Sequence, residues 1–528
     1  MKTWVLFIIA VGLSFSSTAI SKEADYLVLT WSEQNGLQAE YHQVFEWAEQ
    51  SHSNNQHTSS LLAFDADDKL LEHVSIRDSQ ITRSEHHGHD HIDGQWLLND
   101  KITFVVRAPK GQIKYLQLPA SIDARQATTS FNSLVTNAKV KGPQRSSAMG
   151  QADNRVNLLI MSEGYTNAQQ TDFNADVDGV IAYMQTFEPY QSYTNFVSYD
   201  RLFTASAQSG ADKPADCFGG DAVTVNTAFD GSYCVASIRR LLTVNSTKIY
   251  TAAAAVPNWD EIIVIVNDNE YGGSGGAFST FSTNVAANDI FIHEYGHSFT
   301  GLADEYDSPF PGFPACSDIS SPSCEANVTD VVSRNSIKWN YLINQSTPVP
   351  TPETAQYGND IGLFEGARYL ETGMYRPKDF CNMRVLSAGF CAVCQEAYVL
   401  KIYDVLYADA GRLSLLEPDT ASPAGATVSA MVSVPVNFSI DTLQPTHDLS
   451  ITWSVNGSPQ NTANSSLTSQ GFSYTPDQVG ANTVSVTVRD NSPLVHSSRQ
   501  DELPEFEYVW QLDVAAFDDL IFADGFEP

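Results

Sequence analysis

Two histidines four residues apart, His293 and His297, enclose Glu294 in the run NDIFIHEYGHSFTGLADEY at 288–306. On a helix this spacing puts both imidazoles on one face, where they can share a single metal ion. Glu294 sits beside them, placed to take a proton from a metal-bound water. Gly301 can end the helix in a left-handed conformation and turn the chain back, which brings Asp304 forward as the third ligand. The expected ion is therefore zinc, held by His293, His297 and Asp304. H-E-x-x-H also arises by chance on ordinary helices. Here an apolar lead-in (Ile290, Phe291, Ile292), a closing glycine and a following acidic pair add to it.

Such a helix needs a sheet behind it. The run 156–161 reads as a strand, 168–186 as an amphipathic helix, and 261–267 (EIIVIVN) as a second buried strand. These elements predict a mixed α/β domain over 150–415, closed by a helix over 392–407. Within the Gly/Ser/Thr-rich run before the metal helix, 277–283 is expected to be an exposed edge strand to which an extended peptide can add.

On either side the pattern changes to short alternating strands. Residues 24–140 predict an N-terminal β-sandwich. Residues 418–515, with Trp453 and the Asn456-Gly457 turn, predict an immunoglobulin-like β-sandwich serving as a spacer or binding module. The expected fold class is multidomain: β-sandwich, central α/β domain, β-sandwich, with an acidic tail at 516–528.

Residues 1–21 have a lysine, an apolar run too short to span a bilayer, and then small residues, which predicts a signal peptide and a secreted protein. Seven cysteines suit an oxidising compartment. Cys217 and Cys234 bracket one loop, and Cys316 and Cys324 bracket another. Cys391-x-x-Cys394, with Cys381 nearby, is expected to serve a structural disulfide, since no second C-x-x-C completes a zinc site. The odd count leaves one thiol over. The tract His86, His87, His89, His91 reads as a solvated hairpin loop, with auxiliary zinc or copper binding as the other reading. A net charge of -33 excludes a nucleic-acid partner, no later segment spans a membrane, and a monomer is the default. Asp- and Asn-rich loops leave calcium open, although no spacing indicates it.

The segments NLLIMSEGYT (157–166), EYGG (270–273), HEYGHSFTGLADEY (293–306), FEGARY (364–369), GMYRP (373–377), CNMR (381–384) and FCAVC (390–394) resemble the bacterial immunoglobulin A peptidase-like zinc metallopeptidases. The resemblance covers about 140–410; Glu163 departs from it, standing where aspartate is expected. It implies a metzincin-like zincin fold, His293 and His297 as ligands, Glu294 as general base, and Met383 in a Met-turn beneath the metal. Metzincin spacing would put the third ligand at Ala303, which cannot ligate. The metzincin glycine precedes its ligand by three, as Gly301 precedes Asp304, so Asp304 takes the place; Glu305 is its rival, or a partner that orients the site. Tyr375, in GMYRP, is a candidate donor to a tetrahedral oxyanion, with core packing as the competing role. The expected function is a secreted zinc-dependent endopeptidase acting on a protein or glycoprotein. The alternatives are an adhesion or glycan-binding protein that uses the zincin domain as a scaffold, and a zinc hydrolase of non-protein amides.

Overall fold

The structure, a computed structural model, describes residues 22–47, 51–52, 60–75, 80–87, 92–119, 122, 128–138, 140–141, 154–309, 313, 315–320, 323–407, 409–410 and 414–516. The expected signal peptide at 1–21, His89, His91 and nearly all of the 516–528 tail lie outside them. Among the described residues no helix is long and apolar enough to cross a membrane.

A five-stranded sheet forms the centre: β1 (Val156–Glu163), β2 (Val197–Leu202), β3 (Glu261–Val266), β4 (Gly273–Ser274) and β5 (Ser279–Ser282). Its spatial order is β2-β1-β3-β5-β4. The first three pairings are parallel, and β4 alone runs antiparallel, against β5 at the edge. β1 and β3 are buried along their whole length, so both faces of the sheet need a cover.

The side-chain period of two sorts their apolar residues into two sets. Leu158, Ile160, Ile263 and Ile265 face helices α1 (Gln170–Met184) and α2 (Ala287–Ser298), packing with Phe173, Val177, Phe291 and Tyr295. Leu159, Met161, Ile262 and Val264 face the other way and pack with Tyr26, Val28 and Phe45 of the N-terminal region. One face is covered by helices and the other by another module.

That module has two four-stranded sheets around a core that includes Leu27, Leu29, Leu61, Phe104 and Leu116. It is bonded to the central region as well as packed on it. The Tyr26 hydroxyl donates to the Tyr250 carbonyl at 2.8 Å. Arg107 donates to the carbonyls of Pro257 and Trp259, both at 2.8 Å, with its guanidinium 4.3 Å from the Trp259 ring centre. A hairpin of the module, Ile81–His87 with Ile92–Leu98, reaches β4. There the N–H of Arg83 donates to the Gly275 carbonyl at 2.9 Å, and the Gly275 N–H returns a bond to Arg83 at 3.2 Å. His86 and His87 lie at the end of the first strand of this hairpin, paired with Asp93 and Ile92.

The expectation for 277–283 is corrected by this topology. β5 has strands on both sides, and its own Phe281 and the preceding Phe278 are buried. The edge is β4, and Gly275, the residue after it, is bridged to Arg83 of the N-terminal hairpin.

The C-terminal region forms a three-stranded and a five-stranded sheet, with Trp453 stacked on Trp510 at 6.0 Å between ring centres. Its strand Leu449–Val455 alternates buried and half-buried positions, as the sequence suggests. A spacer would touch its neighbour little, yet this core is continuous with the central one. Fully buried Asp490 accepts hydrogen bonds from Tyr193 and Tyr403, each at 2.6 Å, and pairs with His447 at 2.6 Å.

Candidate functional site

Helix α2 brings His293 and His297 onto one face, and the chain reverses just after it. The Gly301 N–H donates to the His297 carbonyl at 3.0 Å, and the Leu302 N–H to that of Gly296 at 3.1 Å. Gly301 has φ 73°, the left-handed value that a side chain disfavours. This turn returns Asp304 to the histidines. Asp304 Oδ1 lies 3.1 Å from His293 Nε2 and 3.0 Å from His297 Nε2, and the two Nε2 atoms are 3.0 Å apart. All three side chains are buried.

The outer nitrogens decide what the inner ones can do. His293 Nδ1 faces the Asn382 carbonyl at 3.0 Å, and His297 Nδ1 faces the Leu302 carbonyl at 2.7 Å. A carbonyl only accepts, so each Nδ1 carries the proton and each neutral imidazole turns a lone pair inward. Burial pushes the His297 pKa down, which favours that neutral form. Two lone pairs and a carboxylate oxygen thus converge with no hydrogen to share. That donor set fits a cation. Ligand atoms about 2.1 Å from a tetrahedral ion would stand about 3.4 Å apart, close to the observed spacing.

Glu294 is fully buried beside this group, and neither carboxylate oxygen has a hydrogen-bond partner among the described residues. Burial pushes its pKa up to about 8, with the Arg83 charge opposing the rise and Asp304 adding to it. Gly275 makes the room: a Cβ there would lie 1.5 Å from Glu294 Oε2. Behind the helix, Met383 is fully buried, and its Sδ would stand 2.9 Å from a Cβ at Gly296. Met383 thus packs against the helix at Gly296.

The two acidic neighbours at the turn part company. Asp304 joins the histidines, whereas Glu305 turns to Asn327 Nδ2 at 2.9 Å and to Cys394 Sγ at 3.4 Å. Tyr375 is the sequence candidate that the structure places elsewhere. It belongs to β7 (Leu370–Arg376), which pairs with β6 (Phe364–Ala367), and its hydroxyl is turned to Glu365 at 3.4 Å while its ring joins the core. The tyrosine that reaches the site is Tyr369, whose hydroxyl donates to Asp304 Oδ2 at 2.5 Å. It sits in the β6–β7 turn, where Arg368 and Tyr369 have φ 53° and 63°. Two successive positive φ values make the tight hairpin turn that aims this ring, a geometry the motif FEGARY does not announce. Ile81 of the N-terminal hairpin packs with Tyr306 and Tyr369 over the same spot.

Cys217–Cys234 and Cys316–Cys324 are disulfides, as their brackets predict. The C-x-x-C pair is not: Cys381, Cys391 and Cys394 are separate buried thiols. Cys391 Sγ and Cys394 Sγ stand 3.6 Å apart, far beyond a bond of about 2.05 Å. A cavity of about 860 Å³ opens elsewhere, between Trp339, Leu400 and Arg499, and includes none of the histidine group. Volume alone would point away from the chemistry.

Residues 146–355 and 353–402 match a family model described as IgA Peptidase M64. No curated protein matches the chain. Among solved structures, the CARDB domain of a Pyrococcus furiosus protein in complex with di-metal ions is 16% identical over 16% of this chain and 79% of its own, with TM-score 0.13. Fibronectin(III)-like modules of Clostridium thermocellum CbhA are 11% identical over 20% of this chain and 50% of theirs, with TM-score 0.14. A Bacteroides uniformis beta-glucuronidase is 8% identical over 94% of this chain and 58% of its own, with TM-score 0.13. Likenesses this slight carry no argument about function.

Proposed function

Residues 146–402 belong to the IgA peptidase M64 family, and from that premise we propose that this chain is a secreted zinc-dependent endopeptidase with a zincin catalytic domain. His293, His297 and Asp304 are the residues that hold the ion. When bound, zinc supplies Lewis-acid polarisation of the scissile carbonyl and acidifies a water molecule. The chain's own part falls to Glu294. Its buried carboxylate, with both oxygens unpartnered among the described residues, accepts a proton from the attacking water and passes it to the departing amine nitrogen. Burial strengthens it as a base, and among the described residues no other hydrogen-bonding group occupies its oxygens. Tyr369 fixes Asp304 through its second oxygen, and the carbonyls of Asn382 and Leu302 fix the imidazoles.

The observation that carries this reading is the convergence of two inward lone pairs and one carboxylate oxygen beside an orphaned buried glutamate. The family name does not identify the substrate, which we take to be a protein or glycoprotein presented in extended form. Glu294→Gln keeps the shape and removes the base. The expected outcome is unchanged metal content and loss of about 10²-fold or more in peptide-library cleavage. Cleavage at the parent rate would overturn the assignment of Glu294.

A further inference from the structure

Glu305 ends in a place where a carboxylate is costly. It is fully buried, Asn327 satisfies Oε1, and Oε2 has no partner among the described residues. Around it stand three thiols that are not joined. Cys394 Sγ is 3.6 Å from Cys381 Sγ, 3.6 Å from Cys391 Sγ and 3.4 Å from Glu305 Oε1. All four ligand-type atoms lie within 4.8 Å of one another, and all four residues are buried.

We propose that Glu305, Cys381, Cys391 and Cys394 form a second, structural metal site that takes a zinc ion. The spacing is that of a coordination shell. Sulfurs about 2.3 Å from a tetrahedral zinc stand about 3.8 Å apart, and a sulfur and a carboxylate oxygen about 3.6 Å apart. A disulfide between any two of the cysteines would leave the third thiol beside an unneutralised carboxylate with no water to solvate it. A divalent cation resolves both at once, and sulfur-rich tetrahedral sites favour zinc. Burial by itself pushes the Cys381 and Cys394 thiols up, and two local features work against it. Cys391 precedes α3 (Ala392–Tyr407) and Cys394 lies in its first turn, where the helix dipole favours negative charge. The Cys391 N–H points at Cys381 Sγ at 3.4 Å.

The position of this cluster gives it a purpose. Glu305 follows Asp304 directly, and its N–H donates to the Met383 carbonyl at 2.8 Å. Asn382, beside Cys381, supplies the carbonyl that sets the His293 tautomer. An ion bound here ties the Asp304 segment to the Met383 loop and to α3, the pieces that frame the first site. It acts by positioning and touches no substrate.

The test uses the full mature chain as purified. Native mass spectrometry and elemental analysis are expected to give about two zinc ions per chain, falling to about one in His293→Ala. After cobalt exchange, His293→Ala is expected to keep thiolate-to-cobalt charge-transfer absorption, and Cys391→Ser to lose it. If Cys391→Ser does not fold, alkylation of the native wild type decides: the three thiols are expected to stay unreactive until a chelator removes the ion, and thiols that stay unreactive with the chelator would overturn the proposal. A single ion in the wild type that His293→Ala removes would overturn the proposal. So would a disulfide among the three cysteines in peptide mapping, or a cobalt form of His293→Ala without the thiolate absorption. Two bound ions without peptide cleavage would sink the endopeptidase reading and leave this site standing.

Discussion

Replacing Gly275 by alanine tests the catalytic geometry without touching a ligand. The added Cβ would lie 1.5 Å from Glu294 Oε2 and 2.4 Å from its Cδ. Ordinary contact begins near 3.4 Å, so the carboxylate has to retreat by about 2 Å. The backbone of Gly275 cannot yield instead, because Arg83 holds both its N–H and its carbonyl and the preceding Ser274 pairs with Thr280. Misplacing a reacting group by about 1 Å can cost about 10²-fold, so we predict at least that loss in kcat/KM for Gly275→Ala. Overpacking should lower stability by about 1–3 kcal/mol, or roughly 2–4 °C in Tm per kcal/mol for a domain of this size. Metal content should stay at the parent value, since Glu294 is not among the three ligands. Gly179→Ala is the control, because its Cβ meets nothing within 4 Å on the exposed side of α1. Peptide cleavage, elemental analysis and a thermal melt on the same samples make the comparison. Cleavage by Gly275→Ala within about 3-fold of the parent would refute the placement of Glu294 as the base, since 3-fold is only about 0.65 kcal/mol of barrier.

Asp304→Ala leaves two imidazoles without the carboxylate and should weaken metal binding about 100-fold or more, measured by competition with a chelator; retained affinity would point to a different third ligand. Tyr369→Phe removes only the hydroxyl on Asp304 Oδ2 and should weaken the same affinity about 10–100-fold, with the fold unchanged by circular dichroism. Asp490→Ala strips a fully buried acceptor from Tyr193, Tyr403 and His447 and should lower stability by about 3–5 kcal/mol in chemical denaturation; a loss below about 1 kcal/mol would mean that the C-terminal module contributes little to the central core.

The parts that were legible in the sequence are those in which neighbouring residues act together. EIIVIV and VNLLIM read as strands because five of the six positions in each are apolar, and HEYGH with Gly301 reads as helix and return because both periods are local. The brackets Cys217–Cys234 and Cys316–Cys324 closed as expected because each spans one loop. What failed depends on partners far apart in the chain. A C-x-x-C motif cannot show that Glu305, 89 residues before Cys394, will stand beside it. GMYRP and FEGARY each offer a tyrosine, and only the positive φ values at 368 and 369 decide that Tyr369 reaches Asp304. A Ser/Thr-rich stretch such as 277–283, with Phe278 and Phe281 set in it, does not show which strand takes the sheet edge. Likewise, alternation identified the C-terminal strands but not the contacts of Asp490 with Tyr193 and Tyr403.

The bond pair between Arg83 and Gly275 makes the last edge of the central sheet a contested position. An N–H and a carbonyl can serve one incoming strand at a time. An extended peptide added at Gly275, just past β4, would compete with a strand of the same chain, whose effective concentration is set by its tether and does not change with dilution. The affinity measured for such a peptide is its intrinsic affinity scaled by the fraction of chains in which the hairpin is lifted. The 81–98 hairpin would then act as a threshold, favouring ligands that bind well enough to displace it over those that are merely abundant.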